Sequence, residues 1–235
     1  MKNMYLTADI KAVGVMCDDS CKQHTGWSFS YYDGKKQITI VIICSSYDTL
    51  SMKTDVGSRI IETIKAWMDR EFCMGCKIVG FKYLCRKVTD IISKTSYSDC
   101  LPPAAMCVFL MAGNRYKLYT IGAGIAIKCH KGRVSVCCKS SGRQRWKKSG
   151  MYYVASFGRA KYGDTFIIST GNDIDKVFFW YTSAYIRERY KEVRRGRHTI
   201  GCAEILKCVE RIYRRRCIVQ ERTISVICCN STEKG

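Results

Sequence analysis

Proline is almost missing: Pro102 and Pro103 are the only two in 235 residues, which excludes Pro-rich linkers and extended spacers. No apolar run approaches the ~20 residues that a membrane-spanning helix needs; the longest, Ile38 to Cys44 and Ala104 to Ala112, fall well short. Histidine is scarce too. None of His24, His130 and His198 lies in a local pattern that pairs it with a nucleophile or completes a zinc ligand set. No segment repeats at a fixed period, so solenoids and propellers are excluded. The stretch Met1 to Asp9 lacks a continuous apolar region followed by a small-residue cleavage pattern, and a cytoplasmic address is therefore expected.

What is present is an ordinary globular balance, 47% apolar and 26% charged, enough for a sizeable core in one domain over residues 1–229, with 230–235 as a polar tail. Sixteen cysteines would suggest a disulfide framework in a secreted chain. Their placement argues otherwise, because Cys44, Cys107, Cys228 and Cys229 sit inside β-type apolar runs where a thiol packs as a small hydrophobe. Cys137 and Cys138 are of the same kind. The Cys73–Cys76 and Cys17–Cys21 spacings have no partner pair to complete a zinc site. Forty Lys and Arg against twenty Asp and Glu leave a net charge of +20, a field that draws acidic or phosphorylated partners, nucleic acid included. The bases concentrate at Arg143, Arg145, Lys147 and Lys148 and again from Arg187 to Arg216. The second cluster is interspersed with Glu188, Glu192, Glu204 and Glu210 and reads as a solvated helix face sooner than as a nucleic-acid stripe.

The order of elements is informative. Strands are expected at Ile10 to Met16, Trp27 to Tyr32 and Gln37 to Cys44, the last two joined at Asp33-Gly34, as an opening β-meander. Ile60, Ile61, Ile64, Trp67 and Met68 share one face of a helix, and Val79, Tyr83, Leu84, Val88 and Ile91 or Ile92 predict a second. Strands follow at Ala105 to Met111, Tyr116 to Ile121, Ile125 to Cys129, Val134 to Cys138, Tyr152 to Ala155 and Asp164 to Ser169. The basic stretch Lys139 to Lys148 is read as a loop, and Gly122 and Gly124 as a break that permits close packing or a bulge. Two helices, Ser183 to Val193 and Ile200 to Arg215, precede a closing strand at Thr223 to Cys229. This order predicts an α+β, four-layer αββα sandwich, with two stacked, mainly antiparallel sheets flanked by helix pairs.

Four segments in this order carry a family likeness. Tyr162-Gly-Asp-Thr-Phe-Ile-Ile-Ser-Thr-Gly171 resembles a Gly-Asp-apolar run leading into Ser-Asp-Gly, and Tyr116 to Ala126 resembles a strand entering Gly-Asp-Ser-Arg. Gln220 to Cys228 is similar to a closing Asp-Asn-x-Thr strand, and Ile38 to Ser46 to a strand ending in Asp-Gly. Together they resemble the PPM-type, protein phosphatase 2C-like, metal-dependent serine/threonine phosphatases. In that family, carboxylates at the strand ends hold two divalent cations about 3.5–4 Å apart and acidify the water that attacks phosphorus.

The departures fall on those carboxylates. Ser45 and Ser46 stand where the resemblance sets Asp-Gly, Ala123 and Thr170 take aspartate places, Thr170 standing ahead of Gly171, and Gln220-Glu221 replaces Asp-Asn. Hydroxyls and one glutamate cannot neutralise two hard dications. The resemblance thus implies a catalytically inactive, pseudophosphatase domain with no metal and no cofactor, which works by binding an acidic or phosphorylated protein through Arg143, Arg145, Lys147 and Lys148. The alternative is an active phosphatase with a shifted manganese or magnesium site rebuilt from Asp18, Asp19, Asp48 or Asp173. A charge-driven nucleic-acid binder is the second.

Overall fold

The computed structural model describes residues 4–13, 24–32, 37–45, 56–73, 80–98, 105–130, 133–141, 153–170, 181–188, 191, 201–215 and 222–231. Nine strands and four helices occur among them: β1 (Met4–Val13), β2 (His24–Tyr32), β3 (Gln37–Ser45), α1 (Val56–Cys73), α2 (Gly80–Ser98), β4 (Ala105–Ala112), β5 (Arg115–His130), β6 (Arg133–Ser141), β7 (Tyr153–Arg159), β8 (Thr165–Thr170), α3 (181–188), α4 (Cys202–Arg215) and β9 (Arg222–Ser231).

These elements stack as the expected αββα sandwich, with two five-stranded antiparallel sheets. One contains β2, β3, β4, the first half of β5, and β7. The other contains β1, β9, β8, the second half of β5, and β6. β3 shows why the layers form. Ile38, Ile40, Ile42 and Cys44 join the cluster under α1 and α2, while Val41 and Ile43 point into the space between the sheets. Successive residues of a strand face opposite sides, so a strand covered on both faces must be apolar throughout. The inter-sheet layer is closed by Phe109, Tyr116 and Phe166, whose rings pack 4.7–6.1 Å apart. On the far side, Ile205, Leu206 and Val209 of α4 and Ile186 of α3 cover Ile127, Ile167 and Val226. Each such side chain contributes about 1.5–3 kcal/mol by leaving water.

The helix stripes lie where periodicity puts them: Ile60, Ile61, Ile64, Trp67 and Met68 of α1, and Leu84, Val88, Ile91 and Ile92 of α2, are all buried. Tyr83 is the exception at 38% exposure, because its ring sits at the edge of the helix pair beside Trp67 and its hydroxyl reaches Glu71.

Five expectations are corrected, the first being the loop read from Lys139: β6 runs on to Ser141. β1 does not open a meander: it pairs with β9 in the other sheet, from Met4↔Ser231 to Val13↔Arg222, while β2 and β3 form the hairpin. The strands expected at Tyr116 to Ile121 and Ile125 to Cys129 are one 16-residue strand, β5. β7 runs to Arg159, well past Ala155. β9 continues to Ser231, into the stretch read as polar tail.

β5 belongs to both sheets because it bends. Gly122 has φ 62°, a left-handed conformation costly for other residues. Gly124 faces Cys107 so closely that a Cβ there would lie 2.8 Å from the thiol sulfur. The glycine pair is thus a corner within one strand, and it brings the ends of β3, β4 and β8 together.

Candidate functional site

At that corner the register places strand ends side by side. Ser45 is opposite Ala105, Ala105 is opposite Gly122, and across the bend Gly124 is opposite Thr170. Ser45 closes β3 in one sheet and Thr170 closes β8 in the other. Their hydroxyl oxygens are 2.6 Å apart, a strong hydrogen bond linking the two sheets.

Thr170 is nearly solvent-free, at 1% exposure, and its hydroxyl is fully used. Its Oγ1 accepts from the backbone N–H of Thr223 at 3.0 Å and donates to the Thr223 carbonyl at 3.4 Å, so Ser45 donates to its remaining lone pair. A hydroxyl offers one proton and two lone pairs. Thr223 in turn donates its own Oγ1 proton to the Cys44 carbonyl at 3.4 Å, which returns the chain of bonds to β3. Below it, the Cys107 thiol donates to the Ser169 carbonyl at 3.1 Å, and burial pushes that thiol well above its ordinary pKa, so it stays neutral.

Of the residues expected at the site, the structure brings together Ser45 and Thr170, with the backbone of Ala123 between Gly122 and Gly124 opposite Ser141. Ser46, Gly171, Gln220, Glu221, Arg143, Arg145, Lys147 and Lys148 lie outside the described residues, as do Asp18, Asp19, Asp48 and Asp173. The described donors do not fit a pair of divalent cations: they are neutral hydroxyls, and the Thr170 oxygen has no lone pair left to give. Among the described residues no group of three or more His, Cys, Asp or Glu could hold a metal ion.

Two features escaped the sequence. Thr223, the Thr of the closing strand's likeness, is a central link, a role visible only once β9 is known to lie beside β8. The second is at the opposite end of the sandwich, where Asp164 is completely buried. Its carboxylate accepts from the Lys161 N–H at 2.8 Å and pairs with Lys128 at 2.7 Å and His130 Nδ1 at 2.5 Å. The Lys128 ammonium also lies over the Tyr116 and Phe166 rings, at 5.2 and 5.4 Å. This cluster ties the end of β5 to the turn before β8. The Cys44, Cys107, Cys138, Cys228 and Cys229 side chains are buried, and Cys137 half-buried.

No protein-family model matches the sequence, and no curated protein matches it. Solved structures do match in shape. A serine/threonine phosphatase of S. agalactiae superposes with a TM-score of 0.60 at 5% identity, over 95% of this chain and 99% of that one. RsbX, solved in complex with magnesium, gives 0.59 at 12% identity over 98% and 100%. The phosphatase domain of SpoIIE from Bacillus subtilis gives 0.53 at 10% identity over 100% and 96%. At such identities the likeness is one of fold.

Proposed function

We propose, from the premise that this chain carries the fold of protein phosphatase 2C-like domains, that it forms a catalytically inactive member of that architecture. It binds an acidic or phosphorylated protein partner in the cytoplasm. The observation that carries this reading is the Thr170 hydroxyl, whose three hydrogen-bonding positions are all taken by Ser45 and Thr223. The resemblance sets a metal-binding carboxylate at Thr170. A neutral, saturated hydroxyl there can neither charge-balance a dication nor enter its coordination sphere. Ser45 and Thr170 instead join the sheets directly, so the fold does not depend on an ion at that corner.

The net charge of +20 supports an acidic partner. Arg143, Arg145, Lys147 and Lys148 lie in the connection from β6 to β7 and are the assigned contacts. No helix among the described residues is long and apolar enough to cross a membrane.

The test is phosphate release from an aryl phosphate and from phosphoserine peptides, with manganese or magnesium, alongside calorimetric titration of each ion. The expected result is no turnover and no paired-ion binding at millimolar concentration. Turnover accompanied by two bound ions would overturn the reading. A salt series then sorts the partner, since binding to nucleic acid falls steeply as salt rises.

A further inference from the structure

β7 is an edge strand. Among the described residues it pairs with β5 alone, from Arg115↔Arg159 to Ile121↔Tyr153, leaving its other side without a hydrogen-bonded strand. Edge strands expose unpaired main-chain groups, and folded proteins usually blunt them with charge and avoid large apolar side chains on them. β7 instead carries Phe157, the most exposed large apolar residue described, at 80%.

The surroundings of Phe157 are cationic. Residues two apart on a strand share a face, so Phe157 lies on the same face as Arg159 and, across β5, Lys117 and Arg115. This face begins under α2, where Tyr119 accepts a hydrogen bond from Thr89 at 3.1 Å. It emerges into solvent at Lys117, whose ammonium sits 4.7 Å from the Tyr119 ring centre. Arg115 and Arg159 are directly opposite one another and both exposed. Like charges facing across an antiparallel pair destabilise it, and no carboxylate lies within ion-pair distance of either among the described residues. Among the described residues, an exposed ring and an arginine pair with no carboxylate partner thus lie side by side on an edge without a second strand, and each is costly there.

One occupant relieves all three costs. We infer that β7 is a docking edge for an extended acidic segment of a partner protein. The segment adds as a strand beside β7, covering Phe157 with an apolar side chain and meeting Arg159 with a carboxylate two residues away. Main-chain pairing gives the affinity, and alternate side chains give the selectivity. The inference rests on the binding-module reading above and supplies its surface.

The test uses the full chain and a fluorescent synthetic peptide, Thr-Glu-Thr-Leu-Thr-Glu-Thr-Leu, with a lysine-for-glutamate counterpart as control. Saturable binding of the acidic peptide is expected, together with slowed amide exchange in β7. Phe157→Ala leaves the charge unchanged and removes no core packing. It should weaken binding about tenfold, as loss of a buried aromatic contact implies, and Arg159→Glu should do at least the same. Binding indifferent to Phe157→Ala, absence of β7 protection, or no preference over the lysine peptide would each overturn the docking edge. Metal-dependent turnover with peptide binding intact would sink the inactive reading and leave this edge standing. No turnover with Phe157→Ala silent would do the reverse.

Discussion

The side-chain oxygens of Ser45 and Thr170 lie 2.6 Å apart, one from each sheet. A contact so short between two sheet ends means that the sandwich is fastened at its corner by neutral hydrogen bonds. Thr170 is the member with more to lose, since it also holds the Thr223 backbone.

Replacing Thr170 with Val keeps the shape and removes the hydroxyl. The buried Thr223 N–H is then left without its partner, and a stranded buried donor costs about 1–3 kcal/mol. Ser45→Ala removes the bond to Thr170 at a half-buried position and should cost less, about 0.5–1.5 kcal/mol. Urea unfolding of the two single variants and the double checks this. The double should fall short of the sum, because both single changes break the same bond. Strict additivity would show that the two hydroxyls do not interact.

At the other end of the sandwich, Asp164 is buried while holding Lys128 and His130. Asp164→Ala leaves the largely buried Lys128 ammonium without its counter-charge, and breaking one partner of such a pair costs about 3–5 kcal/mol. The urea midpoint should drop accordingly. Lys128→Met with Asp164→Leu, which replaces the pair by apolar side chains, should recover part of the loss.

How much of this could be read beforehand depended on sequence distance. The layers and both helix stripes follow from local periodicity, as Ile60, Ile64 and Leu84 illustrate, and so does the burial of Cys44 and Cys107. Ser45 and Thr170 fall at one site in the sequence only through the family resemblance, which sets both at metal-ligand places. Alternation tells which face of a strand is buried and not which distant strand it pairs with, so it does not place β1, whose partner β9 is more than two hundred residues away. Gly122 and Gly124 read as a break in the sequence because glycine signals a change of direction equally well within a strand as between two. The Asp164 cluster was hidden for the same reason as Thr223: Lys128 and His130 lie more than thirty residues before it.

The buried thiols set the response to base. Burial pushes Cys129 and Cys138 up to about 12, and raises Cys107 and Cys229 as well, from the ordinary thiol value near 9. Between those values the unfolded chain has released protons that the native chain still holds. The unfolded state therefore binds fewer protons, and stability falls as pH rises through the window from about 9 to about 12, by up to about 1.4 kcal/mol per pH unit for each such thiol. Unfolding midpoints measured along an alkaline series should decline steeply, and less so for Cys138→Ala or Cys129→Ala.

Cys202 goes the other way. It is the first residue of α4, and its sulfur meets the Cys228 thiol and the Thr7 hydroxyl, both on β-strands: hydrogen bonding from Cys228, and from Thr7, whose Oγ1 is 3.4 Å away, outweighs burial and brings Cys202 below the ordinary thiol value. The positive end of a helix favours the same thiolate. Cys228, donating to that thiolate, keeps its proton and is raised. A group depressed in the native state adds stability above its unfolded value, and loses it as pH falls through the native one. Cys202 thus contributes fully above the ordinary thiol pKa and loses that contribution as pH falls through its own lowered one. Thiolate absorbance in the far ultraviolet should therefore show a step of one thiol below the ordinary thiol range in the native protein. Cys202→Ser should abolish that step, and Thr7→Val should shift it upward. A step that survives Cys202→Ser would assign the low-pH thiolate to a different cysteine and refute the pairing with Cys228.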